Sequence, residues 1–160
     1  MPFPSYQYAP AWEIDQWINT RDELTVESFR GRVVVLHAFQ MLCPACVSHG
    51  ISQAKAIHNA FPLDKLRVIG LHTVFEHHEA MGPVSLKAFI QEYRIPFPVG
   101  IDRRQGDDPI PLTMRAYGLQ GTPSLILIDQ KGHIRLHHFG QLDDLHVGAT
   151  IGQLLTEGTA

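Results

Sequence analysis

The chain has 160 residues, 44% of them hydrophobic, and is therefore long enough to bury the core of one globular domain. Its formal net charge of −3 is too small to favour nucleic acid or an anionic membrane surface as a partner. The sequence contains no run of about 18 apolar residues, so we expect no membrane-spanning helix. We expect residues 1–10 to form an N-terminal arm and residues 11–160 to form a single domain.

The first half of the chain predicts two buried strands, each followed by a helix. The runs Val33–Phe39 and Leu66–His72 are rich in β-branched and other apolar residues, which is typical of buried strands. Between them, apolar side chains recur every three to four residues, which predicts an amphipathic helix that Pro62 helps to end. We expect a polar loop over 76–82, and then a helix with Pro83 in its first turn.

The second half of the chain predicts short elements before a final helix. In chain order these are an extended segment, a short helix, two antiparallel strands around a tight turn, and a closing helix, over residues 95–99, 112–117, 125–129, 133–139 and 141–155. The order βαβα, hairpin, α indicates an α/β fold with a mixed central β-sheet flanked by helices on both faces.

The only two cysteines form the motif Cys43-Pro44-Ala45-Cys46 between the first strong strand and its helix. A disulfide across two residues closes too small a loop to stabilise much, so the spacing favours reversible redox chemistry. A cysteine that begins a helix faces free N–H groups and the positive end of the helix dipole, which stabilise its thiolate. We therefore predict that Cys43 is the exposed nucleophile and Cys46 the buried resolving thiol. Pro44 keeps the first turn rigid, and we place it among the substrate-contacting residues.

This element order, together with the CxxC motif and Gly121-Thr122-Pro123, resembles the thioredoxin fold. Within that fold the chain is similar to the TlpA/ResA/DsbE group of thiol–disulfide oxidoreductases in the AhpC/TSA superfamily, and most of all to domains of the DipZ C-terminal type. Further matching stretches are Ala9–Trp12, Phe29–Leu36, Val68–His72, Ala116–Gly118 and Gly132–Arg135. Together the matches extend over roughly residues 9 to 157.

The resemblance implies an enzyme of antioxidant defence and cell redox homeostasis that needs no bound cofactor. Its partners would be a protein dithiol or disulfide and an upstream electron donor or acceptor. The resemblance also implies a cis peptide bond at Pro123, which would lie against the cysteines, with the backbone of Thr122 pairing with the substrate.

Two histidines replace carboxylates that the resemblance leads us to expect. His37, six residues before Cys43, stands where thioredoxins have a buried acid, and His49, six residues after it, stands where ResA-like proteins have a glutamate. Because imidazole transfers protons near neutral pH, our hypothesis is that His37 or His49 assists the resolving step. Leu42 stands in place of the familiar tryptophan before the first cysteine.

Two other functions stay open as alternatives. A thiol peroxidase of this superfamily would need a threonine three residues before the reactive cysteine, where this chain has Gln40. A copper- or zinc-binding metallochaperone would need a histidine near the thiolates, and His133, His137 or His138 are the candidates. We expect a redox pair and no metal site.

The first ten residues lack the basic start and the apolar core of a signal peptide. We therefore expect a cytoplasmic protein, with the periplasm as the alternative if a leader has been removed. A reductase would fit the cytosol and an oxidase the periplasm, so the direction of electron flow stays open.

Overall fold

The computed structural model describes residues 6–158, in which a six-stranded sheet is combined with four α-helices. The strands are β1 (Ile14–Ile18), β2 (Val33–Phe39), β3 (Leu66–His72), β4 (Val99–Asp102), β5 (Ser124–Ile128) and β6 (Ile134–Phe139). The helices are α1 (Ile51–Ala60), α2 (Pro83–Glu92), α3 (Leu112–Ala116) and α4 (Asp144–Glu157).

The sheet has the strand order β1-β4-β3-β2-β5-β6. The pairs β2–β3 and β3–β4 are parallel, whereas β1–β4, β2–β5 and β5–β6 are antiparallel. The predicted mixed sheet and the predicted hairpin are thereby confirmed. Because β2 lies inside the sheet, the segment that follows its carboxyl end is surrounded by loops from neighbouring strands.

Helices cover both faces of the sheet, as predicted, but unequally. Alternate side chains of β2 point to opposite faces, so this fully buried strand contributes to two cores. Helices α1, α2 and α4 pack on the face that carries Val33, Val35 and Phe39. Their buried side chains on this face are Ile51, Ala54, Ile57, Leu86, Ile90, Val147, Ile151 and Leu154. The other face is covered by α3, by Phe29 of a short 3₁₀ helix and by Trp12.

Helix α1 is preceded by a wide, π-helical turn over Cys46–Gly50. The helical path begins just after Cys43, whose carbonyl accepts a hydrogen bond from the N–H of Val47 (3.1 Å). Turns of this kind are rare and often occur at functional sites. The Cys43–Cys46 motif thus lies between the end of the buried strand β2 and the start of helix α1.

Several boundaries differ from the predictions. Strand β1, at the edge of the sheet, was not predicted because its half-exposed residues show no clean alternation. The segment predicted over 95–99 becomes a strand only from Val99, since the prolines at 96 and 98 cannot donate to a ladder. The expected polar loop over 76–82 contains a short 3₁₀ helix, His78–Met81. The last helix begins at Asp144, after Asp143 caps it by accepting the N–H of His146 (2.9 Å).

The segment before β1 pairs with the hairpin. The N–H of Ala9 donates to the carbonyl of Gly132, and the N–H of Ile134 donates to the carbonyl of Gln7, both at 2.8 Å. Of the predicted arm, residues 1–5 lie outside the described part of the chain. No helix within residues 6–158 has the length and hydrophobicity that crossing a bilayer requires.

Candidate active site

The two cysteines form a disulfide with their Cα atoms 5.2 Å apart. Cys43 is partly exposed, whereas Cys46 is completely buried, at 0% exposure, as predicted. The backbone N–H of Cys46 donates to the Sγ atom of Cys43 at 3.3 Å. A hydrogen bond of this kind favours negative charge on a sulfur acceptor.

The Thr122–Pro123 peptide bond is cis, as the resemblance implies. The carbonyl oxygen of Thr122 lies 3.5 Å from the Sγ atom of Cys43. This loop is held in place because Ser124 Oγ donates to the carbonyl of Gly121 (2.7 Å) and the N–H of Gly140 donates to the carbonyl of Pro123 (2.8 Å). The proline loop therefore lies beside the more exposed of the two sulfurs.

His37 lies beneath the turn that contains Cys46. Its ring stacks on Phe39 with a centroid separation of 5.6 Å, and a Cβ added at Gly50 would lie 2.6 Å from its Cε1 atom. The Nε2 atom is buried without a hydrogen-bond partner. Burial lowers the pKa of His37 to about 4, with a smaller contribution from the charge of nearby His49. The imidazole is therefore neutral at neutral pH.

The side chain of His49 reaches the segment before α4. Its side chain is half-buried, and its Nε2 atom lies 3.3 Å from the carbonyl oxygen of Leu142. Gln53 donates to the same carbonyl at 2.7 Å. The structure therefore places the two predicted histidines differently, with His37 in the core and His49 at the rim of the site.

Gln40 connects the segment before Cys43 to the proline loop. Its Oε1 atom accepts the N–H of Phe75 at 3.2 Å, and its Nε2 atom donates to Thr122 Oγ1 at 3.3 Å. In the sequence, Gln40 stands out only because it replaces the threonine that a peroxidase would need. Because both ends of the carboxamide are engaged, the structure gives the peroxidase alternative no support.

Two further residues, not predicted from the sequence, contact the same segment. His72 Nε2 accepts the N–H of Met41 at 3.3 Å, and Met81 Sδ accepts the N–H of Leu42 at 3.5 Å. A signal for His72 was present, since the parallel strands β2 and β3 end together, with Phe39 opposite His72. The sequence held no comparable signal for Met81.

The other candidate histidines do not gather around the sulfurs. His137 Nε2 lies 2.9 Å from the carbonyl of Tyr117, His138 Nε2 lies 2.9 Å from the carbonyl of Gln141, and His133 lies 3.6 Å from Asp129. In the part of the chain that the structure describes, no three His, Cys, Asp or Glu side chains converge as metal ligands would. The metallochaperone alternative therefore gains no support from the geometry.

The chain is similar to known proteins in sequence and in fold. A model of the AhpC/TSA family matches residues 7–137. The crystal structure of SPOA0173, a thioredoxin-like superfamily protein, is 57% identical, with a TM-score of 0.90 over 92% of this chain and 96% of that chain. A thiol-disulfide isomerase from Corynebacterium glutamicum is 49% identical, with a TM-score of 0.89 over 92% of this chain and 97% of that chain. No curated protein matches the chain.

A more distant structure shows the shared fold alone. A Chlorobium tepidum protein described as the thiol:disulfide interchange protein DsbE is 18% identical, with a TM-score of 0.70 over 99% of this chain and 100% of that chain.

The fold and the cysteine pair together define a thiol–disulfide oxidoreductase with the thioredoxin fold. Because the family model covers residues 7–137, the chain belongs to the AhpC/TSA family.

Proposed function

We propose that Cys43 is the attacking thiol of this oxidoreductase and that Cys46 resolves the mixed disulfide. The observation that carries the proposal is the hydrogen bond from the N–H of Cys46 to the Sγ atom of Cys43, at 3.3 Å. In the dithiol form, this hydrogen bond stabilises a thiolate on Cys43. The Cys43 sulfur is the one that a substrate can reach, because Cys46 is completely buried.

The exchange conserves atoms and electrons in two steps. The Cys43 thiolate attacks a substrate disulfide, forming a bond to one sulfur while the other leaves as a thiolate and takes up a proton. Cys46 then loses its proton and attacks the Sγ atom of Cys43, which releases the second substrate thiolate. The substrate gains two electrons and the enzyme is left with the Cys43–Cys46 disulfide. The reverse sequence oxidises a dithiol.

The substrate docks beside the proline loop. The carbonyl oxygen of Thr122, the residue before Pro123, lies 3.5 Å from the Cys43 sulfur, and Pro44, the residue after Cys43, is exposed. Leu42, which is 59% exposed, gives this rim an aliphatic character in place of an aromatic one. An extended protein segment that pairs with the backbone of Thr122 would bring its own disulfide onto Cys43.

Both His37 and His49 assist the release of the proton from Cys46. His37 offers an unpartnered Nε2 atom beneath the cysteine turn, although its pKa of about 4 makes it a weak and only transient acceptor at neutral pH. His49 is partly exposed, which suits transfer to solvent. Geometry favours His37 as the first acceptor and His49 as the route outward.

Replacing these histidines should alter the pH dependence of the reaction. We expect His37→Leu and His49→Leu each to move the pH–rate profile of disulfide reduction by lowering the rate of the resolving step. Stopped-flow measurement of mixed-disulfide decay between pH 5 and 9 provides the readout, with His58→Leu as the control, because His58 packs against Phe97. Profiles that coincide with that of the unmodified chain in both variants would contradict proton transfer by either imidazole.

We place the enzyme in the cytoplasm, with a protein substrate and a separate protein dithiol as its electron donor or acceptor. Both cysteines of the chain belong to the redox motif, which suits a reducing compartment where structural disulfides are rare.

Trapping in cells tests the nucleophile, the partner and the compartment together. Cys46→Ser should accumulate disulfide-linked adducts through Cys43, because the resolving thiol is missing, and mass spectrometry should identify cytoplasmic proteins in them. Cys43→Ser serves as the control and should trap nothing, since Cys46 is buried. Adducts in the control would reverse the assignment of roles, and exclusively periplasmic partners would contradict the compartment.

A further inference from the structure

The segment 40–42, which joins β2 to Cys43, is held by side chains from elsewhere in the fold. The N–H of Met41 donates to His72 Nε2 at 3.3 Å, and the N–H of Leu42 donates to Met81 Sδ at 3.5 Å. The N–H of Cys43 itself donates to the carbonyl of Gln40 at 3.2 Å. Three consecutive N–H groups are therefore fixed immediately before the Cys43 sulfur.

We propose that His72 and Met81 are positioning residues that set the reactivity of Cys43 by fixing this segment. Neither side chain is expected to touch a substrate. By holding the N–H groups of Met41 and Leu42, they keep the Cys43 sulfur at hydrogen-bond distance from the N–H of Cys46. The inference rests on the proposed role of Cys43 as the attacking thiol.

The burial of His72 supports a role beyond packing. The residue is only 1% exposed, its ring lies 5.1 Å from that of Phe39, and its Nδ1 atom has no hydrogen-bond partner. A buried polar atom without a partner destabilises a fold relative to an apolar side chain of similar shape. An apolar residue would fill this part of the core at a lower cost in folding free energy. The particular contribution of the imidazole is therefore its hydrogen bond with Met41.

His72 is suited to accept a hydrogen bond from Met41. Burial lowers the pKa of His72 to about 4, so the imidazole is neutral at neutral pH and keeps a lone pair for the Met41 N–H. Protonation would convert both ring nitrogens to donors and break the bond. A neutral imidazole at this position thus holds the segment without placing a positive charge beside the cysteines.

Met81 provides a second, independent contact on the same segment. It is 4% exposed and belongs to the short helix His78–Met81, which immediately precedes α2. His72 ends β3, so the two acceptors come from opposite ends of the connection between β3 and α2. This connection therefore provides both side-chain acceptors for the segment.

The test measures the Cys43 thiol alone and then the complete reaction. In a Cys46→Ser background, thiolate absorbance at 240 nm against pH gives the pKa of Cys43. We expect His72→Leu to raise this pKa and, in the two-cysteine chain, to lower kcat/KM for reduction of a protein disulfide by about tenfold. His72→Gln should restore most of both values, because its Oε1 atom can accept the Met41 N–H.

Met81→Leu removes the thioether acceptor with little change of volume, and it carries the test if His72→Leu fails to fold. We expect a smaller rise of the Cys43 pKa in the same direction. The control is His58→Leu, which removes a half-buried histidine of α1 and should leave the Cys43 pKa unchanged.

Two results would overturn the inference: an unchanged Cys43 pKa in the folded His72→Leu or Met81→Leu variant, or a His72→Gln variant as impaired as His72→Leu. Failure of the proposed roles looks different: with residues 40–42, His72 and Met81 unchanged, the Cys46 thiol titrated in a Cys43→Ser background would then have a lower pKa than the Cys43 thiol titrated in the Cys46→Ser background.

Discussion

Cys43→Ser should reduce disulfide exchange by at least about a thousandfold, because a serine hydroxyl does not ionise near neutral pH and forms no disulfide. Cys46 cannot substitute for it, since its side chain is completely buried. The measurement is the rate at which the dithiol form of the chain reduces a protein disulfide, followed with a regenerating thiol donor.

The matched control for this experiment is Cys46→Ser. That variant keeps the attacking sulfur and the N–H at position 46, so it should form the mixed disulfide at close to the normal rate and then stop. Catalytic turnover is lost in both variants, but only Cys43→Ser loses the first step. A Cys43→Ser protein that retains full turnover would refute the assigned chemistry.

Gly50→Ala should destabilise the fold by about 1–3 kcal/mol, through overpacking in the core. The backbone at Gly50 is helical, with φ −60° and ψ −48°, so alanine's helix propensity alone would favour the substitution by about 1 kcal/mol. The steric effect should dominate, because the new Cβ would lie 2.6 Å from Cε1 and 3.1 Å from Nε2 of His37. The His37 ring cannot move away easily, since it is buried and stacked on Phe39.

Activity should fall as well, because relief of the clash with His37 would displace the cysteine turn from the proline loop, whose Pro123 Cβ lies at an ordinary contact distance of 3.4 Å from the new Cβ. Denaturant unfolding and the exchange rate together check this expectation. Gly148→Ala is the matched control: it lies within α4, a Cβ there meets no atom within 4 Å, and the variant should be slightly stabilised. A Gly50→Ala protein that is more stable than the unmodified chain and fully active would contradict the prediction.

The sequence predicted those parts of the fold that local patterns determine. Strands β2 and β3 were predicted with their observed ends, because a run of apolar residues rich in β-branched side chains is typical of a buried strand, and the strand ends where the run ends. Edge strand β1 was not, since a half-exposed strand carries little periodicity. The cysteine motif and the proline loop were found because their residue types are specific and their order along the chain is informative.

The contacts that hold the active-site segment could not be predicted in the same way. The Met41–His72 bond joins residues 31 positions apart, and the Leu42–Met81 bond joins residues 39 positions apart. Their formation depends on where the connection between β3 and α2 crosses the end of the sheet. The structural role of Gln40 was not predicted, because nothing in the neighbouring sequence indicates that its carboxamide reaches Thr122.

The hydrogen bonds of residues 7–9 with the hairpin affect whether the sheet edges of two copies of the chain can pair. Strands β1 and β6 are the two edges of the sheet, and free backbone groups at an edge can pair with a strand of another molecule. At β6, Gln7 and Ala9 occupy part of this edge. At β1, a register irregularity between Ile14 and Gln16 interrupts the regular pattern that a foreign strand would need. The two edges are thus protected by different means against sheet-to-sheet aggregation.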